Sequence, residues 1–515
     1  MEWIPLLMFV VVCLVLLSGY PVAFVLGGTA LLFAAAGMVT GTFSPADLTF
    51  VPNRLFGIID NTTLMAVPLF VFMGVMLEKS RVAEKLLASM GQLFGGLPGG
   101  MGVAIILVGA LLAASTGIVG ATVVTMGLLS LPTMLRQGYQ PQLSTGLICA
   151  TGTLGQIIPP STLLIILADV MSNAYQQAQY EQGKFAVEAL SVGQFFAAAL
   201  VPGLVLVSLY LIYVLARGVL RPDDMPPAPP DLPRPSRPEV LGAIVPPVLL
   251  IFAVLGSILG GLATPTEAAA VGAVGALLLA GARRGRHRGV IAVAAAALIV
   301  LAIAAGLFPV RLQRGDLGTG AYLAGGLYIV LTLVGVTGIL AALNNLLRDR
   351  VVHGAVASTM TMTAMIFATI LAAGMFSLVF IGLGGEERVA HWLENLPGGA
   401  TGALLVTMVI VFFMGFFLDF VEISVIVLPL VVPTLILLGH DPIWLGIVLA
   451  INLQTSFLTP PFGFSLFYLR GAAPPEVTTG HIYRGVLPFI VLQAIGVAVV
   501  WFFPALATWL PRVMF

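Results

Sequence analysis

Asn452-Leu-Gln-Thr-Ser-Phe-Leu-Thr-Pro-Pro-Phe-Gly463 interrupts a long apolar run that otherwise reads as one membrane-spanning helix. No continuous helix passes through it. Pro460 and Pro461 remove two backbone donors, and each ring pushes the preceding residue out of the α region. The helix therefore stops near Leu458 and restarts beyond the prolines. Hydrocarbon offers the freed N–H and C=O groups no partners, so such a break survives only where it packs in protein or faces an ion or polar ligand. The hydroxyls of Thr455, Ser456 and Thr459 crowd it, as such a site requires. The same device recurs at Thr151-Gly-Thr-Leu-Gly-Gln-Ile-Ile-Pro-Pro-Ser161. Two matched broken helices in one apolar chain point to a secondary transporter.

Composition agrees with that class. Mean hydropathy is +1.09, 59% of residues are hydrophobic and only 9% are charged, against roughly a quarter charged in soluble domains. Apolar runs of transmembrane length recur from end to end, so the fold class is an all-α polytopic membrane protein, its surface turned to the lipid bilayer. With a formal net charge of zero there is no case for nucleic acid. Cys13 and Cys149 lie in apolar segments without metal-ligand spacing and read as inert core residues. No nucleotide-binding loop or catalytic constellation is present, so no enzyme is expected. The N-terminal Met1-Glu-Trp-Ile-Pro5 lacks a basic n-region and reads as the start of the first membrane segment.

Outward from the two breaks, the chain divides as follows. Residues 1–100 carry N-terminal scaffold helices: two short crossings, the favoured reading, or one kinked helix over 4–37, then a span at 62–77 with Asp60 or Asn61 as its N-cap. Residues 101–190 form the first half of a transport domain. In its apolar block 101–134, the polar patch Ser115-Thr116-Gly117-Ile118-Val119-Gly120 leaves arms of about 15 residues, roughly 22 Å at 1.5 Å per residue. That is short of a ~30 Å core, so a re-entrant hairpin with its tip at 115–120 is expected, followed by the first broken helix (143–172). Residues 191–282 return to scaffold, with a span at 192–216, a proline-rich connector at 221–239 that reads as extended polyproline, and spans at 240–261 and 265–282. Thr264-Pro-Thr-Glu267 has the form of a capping box with proline at N1. Residues 283–350 form an inserted transmembrane hairpin, and 351–400 the scaffold helix of the second half. Residues 401–475 hold a second hairpin (401–438), with Asp419 and Glu422 near its tip, and the second broken helix. A C-terminal helix, with its span at 486–510, fills 476–515. His353 and His391 lie beside loops and read as solvated.

The halves repeat. Leu131-Pro-Thr-Met-Leu-Arg-Gln-Gly-Tyr-Gln-Pro141 aligns with Val432-Pro-Thr-Leu-Ile-Leu-Leu-Gly-His-Asp-Pro442, and the same register sets Pro159-Pro160 on Pro460-Pro461. The loop before the first hairpin carries Lys79, Arg81 and Lys85; its equivalent carries Glu386, Glu387 and Glu394 against Arg388. The positive-inside rule puts the first in the cytoplasm and the second outside, so the repeat is inverted. Each hairpin tip then meets its half's broken helix near the midplane, where helix C-terminal carbonyls attract cations. One sodium site is expected among Ser115, Thr116, Gly117, Thr151, Thr153, Gly155 and Pro159. A second is expected among Gly415, Asp419, Gln454, Thr455 and Thr459. Hydroxyls and carbonyls with little fixed charge suit a small hard cation that must be released. The substrate is expected between the tips, near Gly120, Gln156, Ser161, Glu422, Ser456 and Gly463. A carboxylate such as Asp419 or Glu422 in a membrane core needs a task or a partner, and a structural partner is the alternative reading for both.

Gly155-Gln-Ile-Ile-Pro-Pro-Ser161, Thr264-Pro-Thr-Glu-Ala-Ala-Ala270, Gly415-Phe-Phe-Leu-Asp419 and the 452–463 stretch together resemble the large membrane subunit of TRAP (tripartite ATP-independent periplasmic) transporters. Phe417-Leu-Asp-Phe-Val-Glu-Ile423 with Gln454–Gly463 is similar to the branch usually labelled mannitol/chloroaromatic. The resemblance spans nearly the whole chain and departs at the 283–350 insert, absent from shorter members. It implies sodium-driven uptake of a small organic acid, a 2-oxo or 2-hydroxy monocarboxylate, across the bacterial inner membrane. It also implies a periplasmic substrate-binding protein, a small four-helix membrane subunit, and an elevator in which hairpins and broken helices move against the scaffold. Two alternatives stand beside it: a stand-alone sodium/carboxylate symporter of the same architecture, and the permease subunit of an ATP-driven importer.

Overall fold

The chain is all helical in a computed structural model describing residues 3–80, 82–228, 237–310 and 319–515. Among the described residues, nine helices are long and apolar enough to cross a membrane. The number is ten if Phe420–Ile426 and Leu428–Leu437, bent by 58° to one another, count as one span.

The first half begins with the expected pair, α1 (Ile4–Leu16) and α2 (Val22–Thr40), separated at Gly19 and Pro21. A short helix, α3 (Phe50–Ile59), occupies what reads from sequence as loop. The next helix, α4 (Ala66–Lys79), starts later than expected, and neither Asp60 nor Asn61 caps it. Asn61 Oδ1 instead accepts from the Thr63 N–H at 2.9 Å, closing a turn ahead of the helix. An amphipathic helix, α5 (Val82–Phe94), leads into the first hairpin, α6 (Gly100–Thr116) and α7 (Val119–Arg136). The broken helix follows as α8 (Pro141–Thr153) and α9 (Thr162–Glu181), then the long span α10 (Val192–Leu220).

The proline-rich connector differs from a free extended strand at its start. Asp224 pairs with Arg217 at 2.7 Å and accepts from Gln140 Nε2 at 2.5 Å, while the Gly99 N–H donates to Met225 O at 3.1 Å and the Ala228 N–H to Gly95 O at 2.8 Å. These contacts pin 224–228 to the turns flanking the first hairpin. Residues 229–236 of the expected polyproline stretch lie outside the described residues. Two spans follow, α11 (Arg237–Leu259) and α12 (Pro265–Ala282). The expected capping box opens α12: Glu267 Oε2 accepts from the Thr264 N–H at 2.8 Å and Thr264 Oγ1 from the Glu267 N–H at 3.3 Å. The insert is a helical hairpin, α13 (Arg288–Leu307) and α14 (Thr319–Arg348). At its base Arg284 pairs with Asp349 at 2.9 Å and Asn345 Nδ2 donates to Gly281 O at 3.2 Å.

In the second half, α15 (Val351–Gly382) and the amphipathic α16 (Gly385–Glu394) stand where α4 and α5 stand in the first. The second hairpin is α17 (Gly399–Met414) with α18 (Phe420–Ile426) and α19 (Leu428–Leu437), and the second broken helix is α20 (Pro442–Leu458) with α21 (Phe464–Ala472). The final span is α22 (Thr479–Phe502), and it ends earlier than expected. Phe503 leaves the helical conformation ahead of Pro504, and a separate helix, α23 (Ala505–Met514), completes the chain. His353 and His391 are exposed, and Cys149 is buried.

Packing crosses between the halves. The returning arm of the first hairpin, α7, packs on α21, and that of the second, α19, packs on α9. A two-fold relation between halves produces such an exchange. The breaks are positioned by close helix contacts. At Gly146 and Gly485 a Cβ would meet a backbone carbonyl oxygen of the facing helix at 1.9 Å, so α8 and α22 touch through bare backbone. Small residues bring helices together in this way where lipid removes the hydrophobic drive for association.

Candidate functional site: two hairpin tips on two broken helices

In the first half α8 ends at Thr153 and the chain tightens through Leu154–Gln156, and the Pro159–Pro160 bond is cis. Ser161 restarts the helix, its Oγ accepting from the Leu163 N–H at 3.2 Å while the hydroxyl donates to Gln156 O at 3.3 Å. The hairpin tip sits on this restart. Gly117 has φ +61°, and a Cβ there would lie 2.6 Å from Thr162 Oγ1 and 2.8 Å from Thr162 N. Only glycine allows both that backbone angle and that approach. Thr151 and Thr153 donate to helix carbonyls behind them, at 2.8 and 2.9 Å; the Thr151 oxygen keeps its lone pairs outside that bond, while those of Thr153 are taken up by two glutamine amides. Gly155 is buried within the tight turn. The Ser115 and Thr116 side chains lie outside the described residues.

The second half repeats the scheme with different chemistry. Gly415 of the tip lies against Ser456: a Cβ there would fall 2.0 Å from Ser456 Oγ. Thr455, Ser456 and Thr459 each donate to a carbonyl three or four residues back, at 2.9, 2.7 and 2.8 Å. Pro460–Pro461 is also cis, and the freed Pro461 carbonyl accepts from Tyr483 Oη at 2.8 Å. Gly463 leaves no room for a side chain, since a Cβ would meet Phe457 O at 2.5 Å. Asp419 and Glu422 have backbone partners. Asp419 N-caps α18, accepting from the Phe420 N–H at 2.7 Å, and Glu422 Oε2 accepts from the Asp419 N–H at 2.8 Å. The Asp-x-x-Glu spacing is itself a capping-box signal, so this local role was readable from sequence.

The two breaks touch. Thr153 Oγ1 accepts from Gln454 Nε2 at 3.3 Å and from Gln493 Nε2 at 3.2 Å, and Gln493 Nε2 also donates to Tyr210 Oη at 2.9 Å. All four side chains are fully buried. Gln454 was expected at the second ion site; here its amide reaches the first broken helix. Gln493 and Tyr210 are functional candidates that sequence reading missed, although a glutamine inside an apolar span was a signal. Tyr468 is a third. Its ring lies against Gly120 of the first tip, within 2.8–3.0 Å of where a Cβ would stand. Gln156 stands apart from the rest. It is fully buried, and neither Oε1 nor Nε2 has a hydrogen-bond partner among the described residues.

The chain is similar to known proteins. The chain aligns with the C4-dicarboxylate TRAP transporter large permease protein DctM of Vibrio cholerae at 28% identity over 99% of this chain and 97% of that one. It is 27% identical to the isethionate TRAP transporter permease protein DctMQ of Oleidesulfovibrio alaskensis, over 96% of this chain and 64% of that longer one. The solved YdaH transporter of Alcanivorax borkumensis has a similar fold, with TM-score 0.55 and 17% identity over 98% of both chains. The family described as "Tripartite ATP-independent periplasmic transporter, DctM component" matches residues 9–308 and 286–506, two segments that meet in the inserted hairpin. The chain belongs to that family: it is a multi-pass permease subunit of the bacterial inner membrane, a transporter of organic solutes and not an enzyme.

Proposed function

We propose that this permease drives sodium-coupled uptake of a small organic acid, a 2-oxo or 2-hydroxy monocarboxylate, by an elevator movement. The unit that moves comprises the two hairpins and the two broken helices. The observation that carries the reading is the junction of the breaks: each tip is seated on its own half's break, and Thr153 and Gln454 tie the breaks to one another. Such a unit moves as one body. Hydroxyls whose donors are already spent on helix carbonyls still offer lone pairs to a cation; Thr153, whose lone pairs the Gln454 and Gln493 amides occupy, has to release one of them to do so. Ser115, Thr116, Gly117, Thr151, Thr153, Gly155 and Pro159 surround the first proposed sodium position; Gly415, Asp419, Gln454, Thr455 and Thr459 surround the second. Gly120, Gln156, Ser161, Glu422, Ser456 and Gly463 lie on the substrate side, with the Gln156 amide the strongest candidate for a direct contact. The 417–423 and 454–463 stretches favour the mannitol/chloroaromatic-type branch.

The partners in this reading are a small four-helix membrane subunit and a periplasmic substrate-binding protein. The fused DctMQ relative supports the first, since its extra length accommodates such a subunit. Proteoliposomes test the whole. With both partners, uptake is expected to require a sodium gradient and no ATP. Without the binding protein it is expected to be nearly silent, and vigorous uptake there would assign the chain to the stand-alone symporters.

A further inference from the structure

A cavity of about 880 Å³ lies outside the hairpin–break junction, between α3, α9 and α15, with Val425 of α18 and Pro429 of α19 also on its wall. None of the residues assigned above to sodium or substrate lines it. Its volume falls in the range of about 300–1,000 Å³ usual for small-ligand sites. The charge rule puts α3 and Asn61, which precede α4, on the outer side of the membrane.

Arg54 is the cationic residue of the wall. Among the described residues its guanidinium makes no ion pair and no hydrogen bond, and Glu386 acts on it only through space. The Glu386 carboxylate is itself engaged by Gln177 Nε2. An exposed guanidinium on a cavity wall, without a counter-ion, attracts an anion, and its planar fork matches a carboxylate. Asp169 lines the same cavity. Its Oδ1 accepts from Asn61 Nδ2 at 2.8 Å and its Oδ2 from Asn173 Nδ2 at 3.5 Å. An ionised carboxylate accepts only and has about four lone-pair sites, so Asp169 can take one more donor. It welcomes a hydroxyl hydrogen and repels a keto oxygen or a second carboxylate. Asp47, also on the wall, adds to that repulsion.

We propose that this cavity is an entry site for a small hydroxy-monocarboxylate anion, its carboxylate paired with Arg54 and its hydroxyl donating to Asp169. The site narrows the substrate class given above, favouring hydroxy over oxo acids and rejecting dicarboxylates. It rests on the uptake reading for the direction of traffic and not for the binding.

The test uses the full chain in sealed membrane vesicles, with Cys13 and Cys149 replaced by alanine and Asn53→Cys, on the same wall, as reporter. Labelling rates from outside are measured with anionic sulfonatoethyl and cationic trimethylammonioethyl methanethiosulfonate, each normalised to a free thiol. Arg54→Gln is expected to lower the anionic-to-cationic rate ratio at least about threefold, the effect of a unit charge several ångströms away in water, and Arg54→Lys to leave it unchanged. Millimolar lactate slows labelling more than pyruvate or succinate does. A ratio unchanged by Arg54→Gln, or equal protection by succinate and lactate, overturns the proposal. An Arg54-dependent ratio and lactate protection seen only from the cytoplasmic side keep the site and overturn the sidedness behind the uptake reading.

Discussion

Gln156 holds a fully buried amide with both ends unpaired, and each such group costs about 1–3 kcal/mol. A chain that retains it has a use for it. Gln156→Leu, close in volume and without polar atoms, is therefore expected to raise thermal stability by roughly 1 kcal/mol while uptake is lost. Stability gained with uptake unchanged would mean the amide meets no ligand. Asp419 poses the opposite problem, because it already has a backbone partner in the cap of α18. Asparagine caps helices as well as aspartate does, so Asp419→Asn keeps the cap and deletes the charge. If the carboxylate serves sodium, apparent sodium affinity falls at least tenfold, about 1.4 kcal/mol, with sodium-free thermal stability unchanged. Stability lost with the sodium dependence intact would make it a structural anchor. Residues whose role is local were legible in the sequence: the Thr264–Glu267 box follows from spacing alone, and the crowded hydroxyls mark both breaks. Gln493, Tyr210 and Tyr468 were not, because their partners lie on helices far away in the chain, and only packing brings an α22 amide to Thr153 or an α21 ring to Gly120.

The elements most legible were those that violate a rule of the membrane. Paired prolines inside an apolar run fix where a helix must stop, and both breaks fall where those residues put them. The short helices α3, α5 and α16 read as loops, since each is only 10–13 residues long and lies between spans. Packing makes them helical: α5 buries Val82, Leu86 and Met90 on one stripe. The polar contacts that tie the proposed moving unit to the chain around α3, α4 and α16 include Thr125 Oγ1 to Glu78 Oε1 at 2.8 Å, Asn61 Nδ2 to Asp169 Oδ1 at 2.8 Å, and Gln177 to Glu386. An elevator stroke has to part them. Cysteines at Gln177 and Glu386, joined by a short bifunctional thiol reagent, are expected to stop uptake, and a cleavable version of the reagent restores it on reduction. Full uptake through a verified cross-link would show that α9 and α16 never separate, and the moving unit would have to be drawn elsewhere.

On the scale of the whole molecule the inserted hairpin is a separable addition. It packs on α12, α13 and α14 together burying the small cluster Leu278, Ile291 and Ala342, and α14 leans on α15. Only 17% of each hydrophobic window in α13 and α14 is buried. The family match breaks across the same stretch. Its ends are brought together by the Arg284–Asp349 pair and by Asn345, which also donates to Arg286 O at 2.6 Å, so the chain enters and leaves at one point. Excising 286–347 and closing the gap with a short glycine–serine linker therefore needs no movement of α12 or α15. The surface uncovered on α12 is alanine, glycine, valine and leucine, and against lipid such a surface is nearly as well solvated as against another apolar helix. The excised chain is expected to fold, to remain monodisperse in detergent, and to support uptake within a few-fold of the parent when both partners are supplied. A variant that folds but no longer co-purifies with the small subunit would assign the hairpin to that interface. A variant that fails to insert would mean that α13 and α14 support α12 during assembly, in spite of the few side chains they cover.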